Sequence, residues 1–167
     1  ILNEPVVLFR QENGNIGALE DRCCHRRLPL SKGQIKGNNL QCGYHGMVFD
    51  STGDCVEIPW QKSISGRARV RSYPVVERNH WIWIWMGAPA GANPDDIPDL
   101  YWHDGPDWLA VGEALNVACN YMLLVDIQLD NTHATYVHPA TLGSSAIQDT
   151  PPDVTRDGDR VHVRRWM

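Results

Sequence analysis

Two pairs of residues in the first third of the chain have the types and spacing of a metal–sulfur site. They are Cys23 and His25 in Asp21-Arg22-Cys23-Cys24-His25-Arg26, and Cys42 and His45 in Cys42-Gly43-Tyr44-His45-Gly46. The pattern is C-x-H, sixteen residues, then C-x2-H. Two thiolates and two imidazoles in this order suit a [2Fe–2S] cluster whose cysteines hold one iron and whose histidines hold the other. Such a centre carries single electrons, and imidazole ligation raises its potential above that of an all-cysteine cluster.

Each pair has to give one ligand to each iron, so the pairs sit on two facing loops. Gly43 and Gly46 beside the second pair allow close backbone approach, and Pro29 and Ser31 after the first suit a loop. A Cys2His2 zinc site is the rival reading, but zinc fingers pair like with like, whereas each pair here is Cys then His. Disulfide chemistry fits less well, because the five cysteines are odd in number and no signal peptide precedes them. The C-x-H register selects Cys23 over Cys24 as ligand. Cys24, Cys55 and Cys119 read as small core side chains.

A second constellation lies in Asn120–His138, where Asp130, His133 and His138 form D-x2-H-x4-H. Asp130 and His133 share a helix face. His138 would point roughly 140° away from His133 on an ideal helix, so the two imidazoles meet one metal only if the helix ends or distorts between them. Two imidazoles and a carboxylate are the facial set of non-haem Fe(II) oxygenases. On their own such residues are more often surface or capping groups; beside a one-electron centre the oxygen-activating reading gains weight.

The elements that position these residues follow from punctuation. Short apolar runs at Val6–Arg10, Ile16–Glu20, Gly46–Phe49, Cys55–Ile58, Tyr73–Arg78 and Trp81–Trp85, separated by Gly, Asn, Asp and Pro, predict a small all-β domain over 1–86. Residues 87–107, with four prolines, read as a linker. A strand after Trp108, a buried helix over Tyr121–His133, a turn at Asp157-Gly158 and a strand at Val161–Trp166 are expected in 108–167. The net charge of −5 argues against a nucleic-acid partner, and no apolar run is long enough to span a membrane. Cysteine usage and the lack of a targeting segment point to a cytoplasmic location. A start at Ile1 and a stop at Met167 just after a strand read as a piece of a longer protein, cut at both ends.

Together these motifs resemble the oxygenase (alpha) component of the Rieske non-haem iron aromatic-ring oxygenases, within them the vanillate O-demethylase branch. The resemblance runs from Pro5-Val6-Val7-Leu8 through Cys42–Gly46 and Trp81–Trp85 to Val161–Met167. It implies an α+β chain: a small all-β Rieske domain, then the start of an α+β, helix-grip-like catalytic domain. It implies that Cys23 and Cys42 bind the buried iron of the cluster, His25 and His45 the outer iron, and His133 and His138 the mononuclear Fe(II). Asp130 takes the place of the aspartate that bridges cluster and iron between subunits of a homotrimer. The third ligand, a carboxylate, lies beyond this chain. The implied partners are an NAD(P)H-dependent flavin/iron–sulfur reductase, O2 and an aromatic substrate such as the methoxylated acid vanillate. Cys24 stands where the family has Pro, and Ile127-Gln128 where it has Asn-Leu or Asn-Met. Asp126 matches an acidic position and reads equally as a helix carboxylate. Ring dihydroxylation, N-demethylation or methyl hydroxylation would need no change in these residues. A Rieske ferredoxin would leave the second constellation without a purpose, a respiratory Rieske protein would need an anchor helix and an extra disulfide, and a zinc-binding interaction module fits least.

Overall fold

A computed structural model describes residues 3–166. The chain divides into two compact units, Ile1–Val111 and Gly112–Met167. The first is β-rich and the second combines helices with a hairpin, in line with the α+β expectation.

In the first unit, β1 (Val6–Arg10) and β2 (Ile16–Glu20) pair antiparallel, with Val7 opposite Leu19 and Phe9 opposite Gly17. The period-2 alternation of β1 turns Val7 and Phe9 inward. Any Cβ at position 17 would run into the Phe9 ring, so the small partner is dictated by its neighbour. Four short strands then form one antiparallel sheet in chain order: β3 (Gln34–Lys36), β4 (Asn39–Gln41), β5 (Val48–Phe49) and β6 (Cys55–Glu57). A last hairpin joins β7 (Val75–Arg78) to β8 (Trp81–Ile84). Its two turn residues, Asn79 and His80, have φ of 54° and 63°, the handedness that lets two residues link twisted strands. Asp104 clamps this turn, accepting from Asn79 Nδ2 at 2.6 Å and lying 3.3 Å from His80 Nε2.

The core gathers Val7, Phe9, Leu19, Leu30, Leu40, Met47, Phe49, Cys55 and Val70 around Cys23 and Cys42. Phe49, Leu19 and Leu30 are fully buried, each contributing about 1.5–3 kcal/mol of transfer free energy. Both loops that carry the candidate ligands leave this core: the first links β2 to β3, the second β4 to β5.

In the second unit, α1 (Tyr121–Leu129) is capped by Asn120, whose side chain accepts from Met122 N–H at 2.9 Å. A 3-10 turn (Asn131–His133), α2 (Ala134–Val137) and α3 (Ser145–Asp149) follow. β9 (Asp153–Asp157) and β10 (Arg160–Arg164) close an antiparallel hairpin with Gly158 at φ 57° in its turn.

Four expectations are corrected. Cys24 and Cys119 are exposed rather than core; of these three expected core cysteines Cys55 alone is buried. Residues 108–120 contain no strand. The helix over 121–133 stops at Leu129, because Asp130 leaves helical geometry to cap the next turn. α1 is not buried: Met122, Leu123, Leu124, Val125, Ile127 and Leu129 are all exposed. It is apolar on every side, the pattern of a helix that needs cover all round, and nothing among the described residues supplies it.

Candidate metal centres

Cys23 and Cys42 begin two loops of one backbone design. In the first, Cys23 N–H donates to the Leu28 carbonyl at 2.9 Å and Arg27 N–H to the Cys23 carbonyl at 2.9 Å. In the second, Cys42 N–H donates to the Met47 carbonyl at 2.8 Å and Gly46 N–H to the Cys42 carbonyl at 3.1 Å. Each is a turn closed by the cysteine's own N–H and C=O. The fifth residue of each is left-handed, Arg27 at φ 60° and Gly46 at φ 73°. The histidine is third in one loop and fourth in the other, which accounts for the unequal spacings C-x-H and C-x2-H. A Cβ on Gly43 would sit 2.8 Å from the Lys32 carbonyl, and one on Gly46 3.0 Å from Pro59 Cγ. Asp21 ties the first loop down, accepting from Ser31 N–H and from its hydroxyl, both at 2.7 Å.

The ligand types separate by depth. Cys23 and Cys42 are each 2% exposed, whereas His25 and His45 face solvent with ring centroids 4.6 Å apart. Tyr44 stacks on His45 at 3.9 Å between centroids. Burial pushes the Cys23 thiol up to about 11; the backbone N–H of His25 counters this, and the adjacent Cys42 thiol adds to it. A cation's own charge reverses that preference and deprotonates a coordinating thiol. Paired soft thiols at the buried end and paired imidazoles at the exposed end fit a [2Fe–2S] cluster with two protein ligands on each iron. Among the described residues no three His, Cys, Asp or Glu side chains gather about one point; the candidate ligands come in twos.

The second unit brings His133 and His138 together. His133 ends the 3-10 turn and His138 stands one residue past α2, so the chain bends between them and the rings lie 5.5 Å apart, edge to face. Both are half-buried. His133 Nδ1 lies 2.6 Å from the Asp130 carbonyl. A carbonyl only accepts, so Nδ1 carries a proton, and in the neutral ring the lone pair is then on Nε2, the tautomer of a metal ligand. The His138 carbonyl accepts from Thr141, Leu142 and Gly143 N–H at 3.2, 3.2 and 2.8 Å, which fixes its backbone. The pair fits two positions of a facial iron site, and no carboxylate joins them among the described residues. Asp130 Oδ1 caps the turn, accepting from Thr132 hydroxyl at 2.5 Å and Thr132 N–H at 2.9 Å. The hydroxyl, then the N–H, hold its carboxyl below the usual range. Asp126 lies on α1, exposed.

Sequence reasoning passed over Tyr44, although an aromatic beside a ligand was visible in the motif. It also passed over Thr132, whose place two residues after Asp130 is the spacing of a side-chain-capped turn. A cavity of about 440 Å³ against β7–β8, lined by Trp83, Trp85 and Ile97 among others, touches none of the candidate ligands.

Two families match the chain: the Rieske [2Fe-2S] domain over residues 1–74 and the vanillate O-demethylase oxygenase C-terminal domain over 117–167. The iron–sulfur subunit of a toluene-4-sulfonate monooxygenase system from Comamonas testosteroni is 47% identical over 99% of this chain and 49% of its own length. A vanillate O-demethylase oxygenase subunit from a Pseudomonas species is 40% identical over 100% of this chain and 50% of its own. The crystal structure of dicamba monooxygenase with non-haem iron and dicamba superposes with a TM-score of 0.80 at 38% identity, covering 96% of this chain and 45% of that one. The chain thus spans about half the length of the curated relatives it matches.

Proposed function

The chain belongs to the Rieske non-haem iron oxygenases, in the branch with the vanillate O-demethylase C-terminal domain, and we propose that it carries the electron entry and part of the oxygen-activating site of an oxygenase component. The observation that carries this is the double pairing: buried thiols under exposed imidazoles in one unit, and His133 beside His138 in the other. When bound, the Rieske [2Fe–2S] cluster supplies electrons singly and the mononuclear non-haem iron activates dioxygen.

Cys23 and Cys42 hold the inner iron of the cluster, and His25 and His45 the outer one, at the surface where electrons arrive. His133 and His138 give two ligands to the mononuclear iron, the third being a carboxylate that the described residues do not supply. Thr132 occupies Asp130 Oδ1, and we assign the carboxylate to the electron relay between a cluster and the iron of a neighbouring subunit in a homotrimer. We retain 1–86 as the Rieske domain, 87–107 as the link and 108–167 as the beginning of the catalytic domain. No helix among the described residues is long and apolar enough to cross a membrane. Cys24, Cys55 and Cys119, outside the cluster pairs and in no disulfide, support a cytoplasmic setting.

In the whole protein, an NAD(P)H-dependent reductase with flavin and iron–sulfur centres supplies two electrons per turnover. The substrate is an aromatic acid bearing a methoxy group. One oxygen atom enters a methoxy C–H bond and the other leaves as water with two protons and two electrons. The resulting hemiacetal collapses to a phenol and formaldehyde. The 47% identity to the toluene-4-sulfonate subunit supports a second reading, oxidation of a methyl carbon on an aromatic sulfonate. The test is turnover by the full-length oxygenase with its reductase on vanillate and on toluene-4-sulfonate. Formaldehyde released in step with NAD(P)H use on vanillate is expected. Alcohol formed on the sulfonate alone selects the second reading, and no oxygen uptake with either overturns both.

A further inference from the structure

Arg27 holds the fifth position of the Cys23 loop at φ 60°, where the Cys42 loop has Gly46 at 73°. Left-handed backbone is strained for any residue with a Cβ. Strain that one loop carries and the other avoids points to a use for the side chain. Arg27 lines a depression of about 180 Å³ with Arg22, Arg69, Glu20, Cys23 and Cys24. Neither His25 nor His45 lines it. Arg22 precedes the loop, Arg27 ends it, and Arg69 comes from a segment that the backbone lays alongside. Val70 N–H donates to the Gly53 carbonyl at 2.8 Å, and Glu20 N–H to the Arg71 carbonyl at 2.8 Å.

The three guanidiniums keep their donors. Arg22 comes no closer than 3.8 Å to Glu20, and Arg69 no closer than 3.4 Å to Asp54. Arg27 meets no carboxylate among the described residues. Arg10, by contrast, is held by both oxygens of Glu77 at 2.7 and 2.9 Å. Three guanidiniums against one carboxylate leave two positive charges on the wall of the depression, in a chain of net charge −5. Guanidinium forks suit oxyanions, which accept from two N–H groups at once. The space is smaller than the roughly 300–1,000 Å³ of pockets for drug-sized molecules, so its ligand is small.

We propose that this depression binds a small inorganic oxyanion, phosphate or sulfate, beside Cys23, and that its occupancy is coupled to the oxidation state of the cluster. The coupling rests on the cluster assignment above; the binding does not. Reduction adds one negative charge to the cluster, and an anion beside Cys23 repels it. The anion therefore binds the oxidised form more tightly. By reciprocity the bound anion lowers the reduction potential by the same free energy. An affinity ratio of about tenfold corresponds to a fall of about 59 mV for a one-electron centre.

The test uses full-length oxygenase carrying its cluster, with inorganic phosphate as probe and chloride at equal ionic strength as reference. Calorimetry reads binding, and a spectroelectrochemical titration of the Rieske absorbance reads the midpoint potential. Arg27→Gln and Arg69→Gln alter the wall of the depression. Arg26→Gln removes the same charge from a loop position that does not line it. Arg26, Arg27 and Arg69 are all exposed, so the cluster spectrum should be kept in each variant. Saturable phosphate binding and a fall of about 59 mV are expected in wild type and in Arg26→Gln. Arg27→Gln and Arg69→Gln are each expected to weaken binding about tenfold. Wild-type binding that these two variants leave unchanged places the anion elsewhere and overturns the site. An equal loss in Arg26→Gln reduces the effect to general charge and overturns the site as well, as does the absence of binding. Binding with no change in potential overturns the coupling. A wild-type protein without the cluster spectrum overturns the cluster assignment and the coupling with it, while calorimetry still judges the site.

Discussion

At the scale of single residues, a hydrogen bond made by one nitrogen of an imidazole decides what the other can do. The Asp130 carbonyl fixes the tautomer of His133. In the full-length protein His133→Ala should lower iron from about three to about two per chain and abolish turnover, with the cluster spectrum unchanged; surviving turnover would remove His133 from the iron site. Asn caps a turn as well as Asp, so Asp130→Asn tests charge alone. Electron transfer to the mononuclear iron should slow in rapid-mixing experiments with both metals retained; an unchanged rate would take Asp130 out of the relay. Tyr73 gives a pH-dependent case in the first unit. It is 5% exposed and donates to Glu4 Oε2 at 2.6 Å; burial first, then Glu4, push its phenol up to about 12. An unfolded chain releases that proton near about pH 10. The folded state holds it longer, so the contribution is complete below about pH 10 and is lost as pH rises through about 12. Urea midpoints taken between about pH 9 and about pH 12 should fall more steeply for wild type than for Tyr73→Phe; parallel falls would contradict the shift.

At the scale of elements, the two ligand loops share hydrogen bonds and a left-handed fifth residue but not a sequence. Gly46→Ala adds a Cβ at φ 73° close to Pro59, and we expect a loss of about 1–3 kcal/mol in stability together with reduced cluster content. Gly14→Ala, at φ 90° with nothing within 4 Å, supplies the backbone strain alone. It should lower the thermal midpoint and leave sulfide content at the wild-type level; equal sulfide in both variants would mean that the loop tolerates a side chain. Short apolar runs bounded by Gly, Asn, Asp and Pro made β1, β2, β7 and β8 legible in the sequence. The strands β3 and β4 were not, because each has three residues and only one apolar side chain, Ile35 or Leu40. The Gly37-Asn38 turn between them was the available signal, with Gly37 at φ 62°. β9 escaped because Asp153–Asp157 is mostly polar and wholly exposed. The candidate ligand types were legible because metal chemistry restricts residue choice. The common geometry of the loops was not, since C-x-H and C-x2-H differ by one residue.

At the scale of the molecule, each unit brings candidate ligands together in pairs, and the surroundings of those pairs differ. The cysteines of the first unit sit inside a closed core, whereas α1 of the second leaves six apolar side chains uncovered among the described residues. Its run of apolar residues read as a buried helix because periodicity reports the side chains that want cover, not whether a neighbour provides it. The exposure of Cys24 was hidden for a similar reason: adjacent residues in a tight turn point in different directions, and nothing in the sequence says which faces the core. The account stands on the first unit holding an iron–sulfur cluster rather than a single zinc ion. The direct measurement is iron, zinc and acid-labile sulfide per chain on protein purified without oxygen. About two sulfides with at least about two irons are predicted; stoichiometric zinc without sulfide would contradict the redox reading at its root.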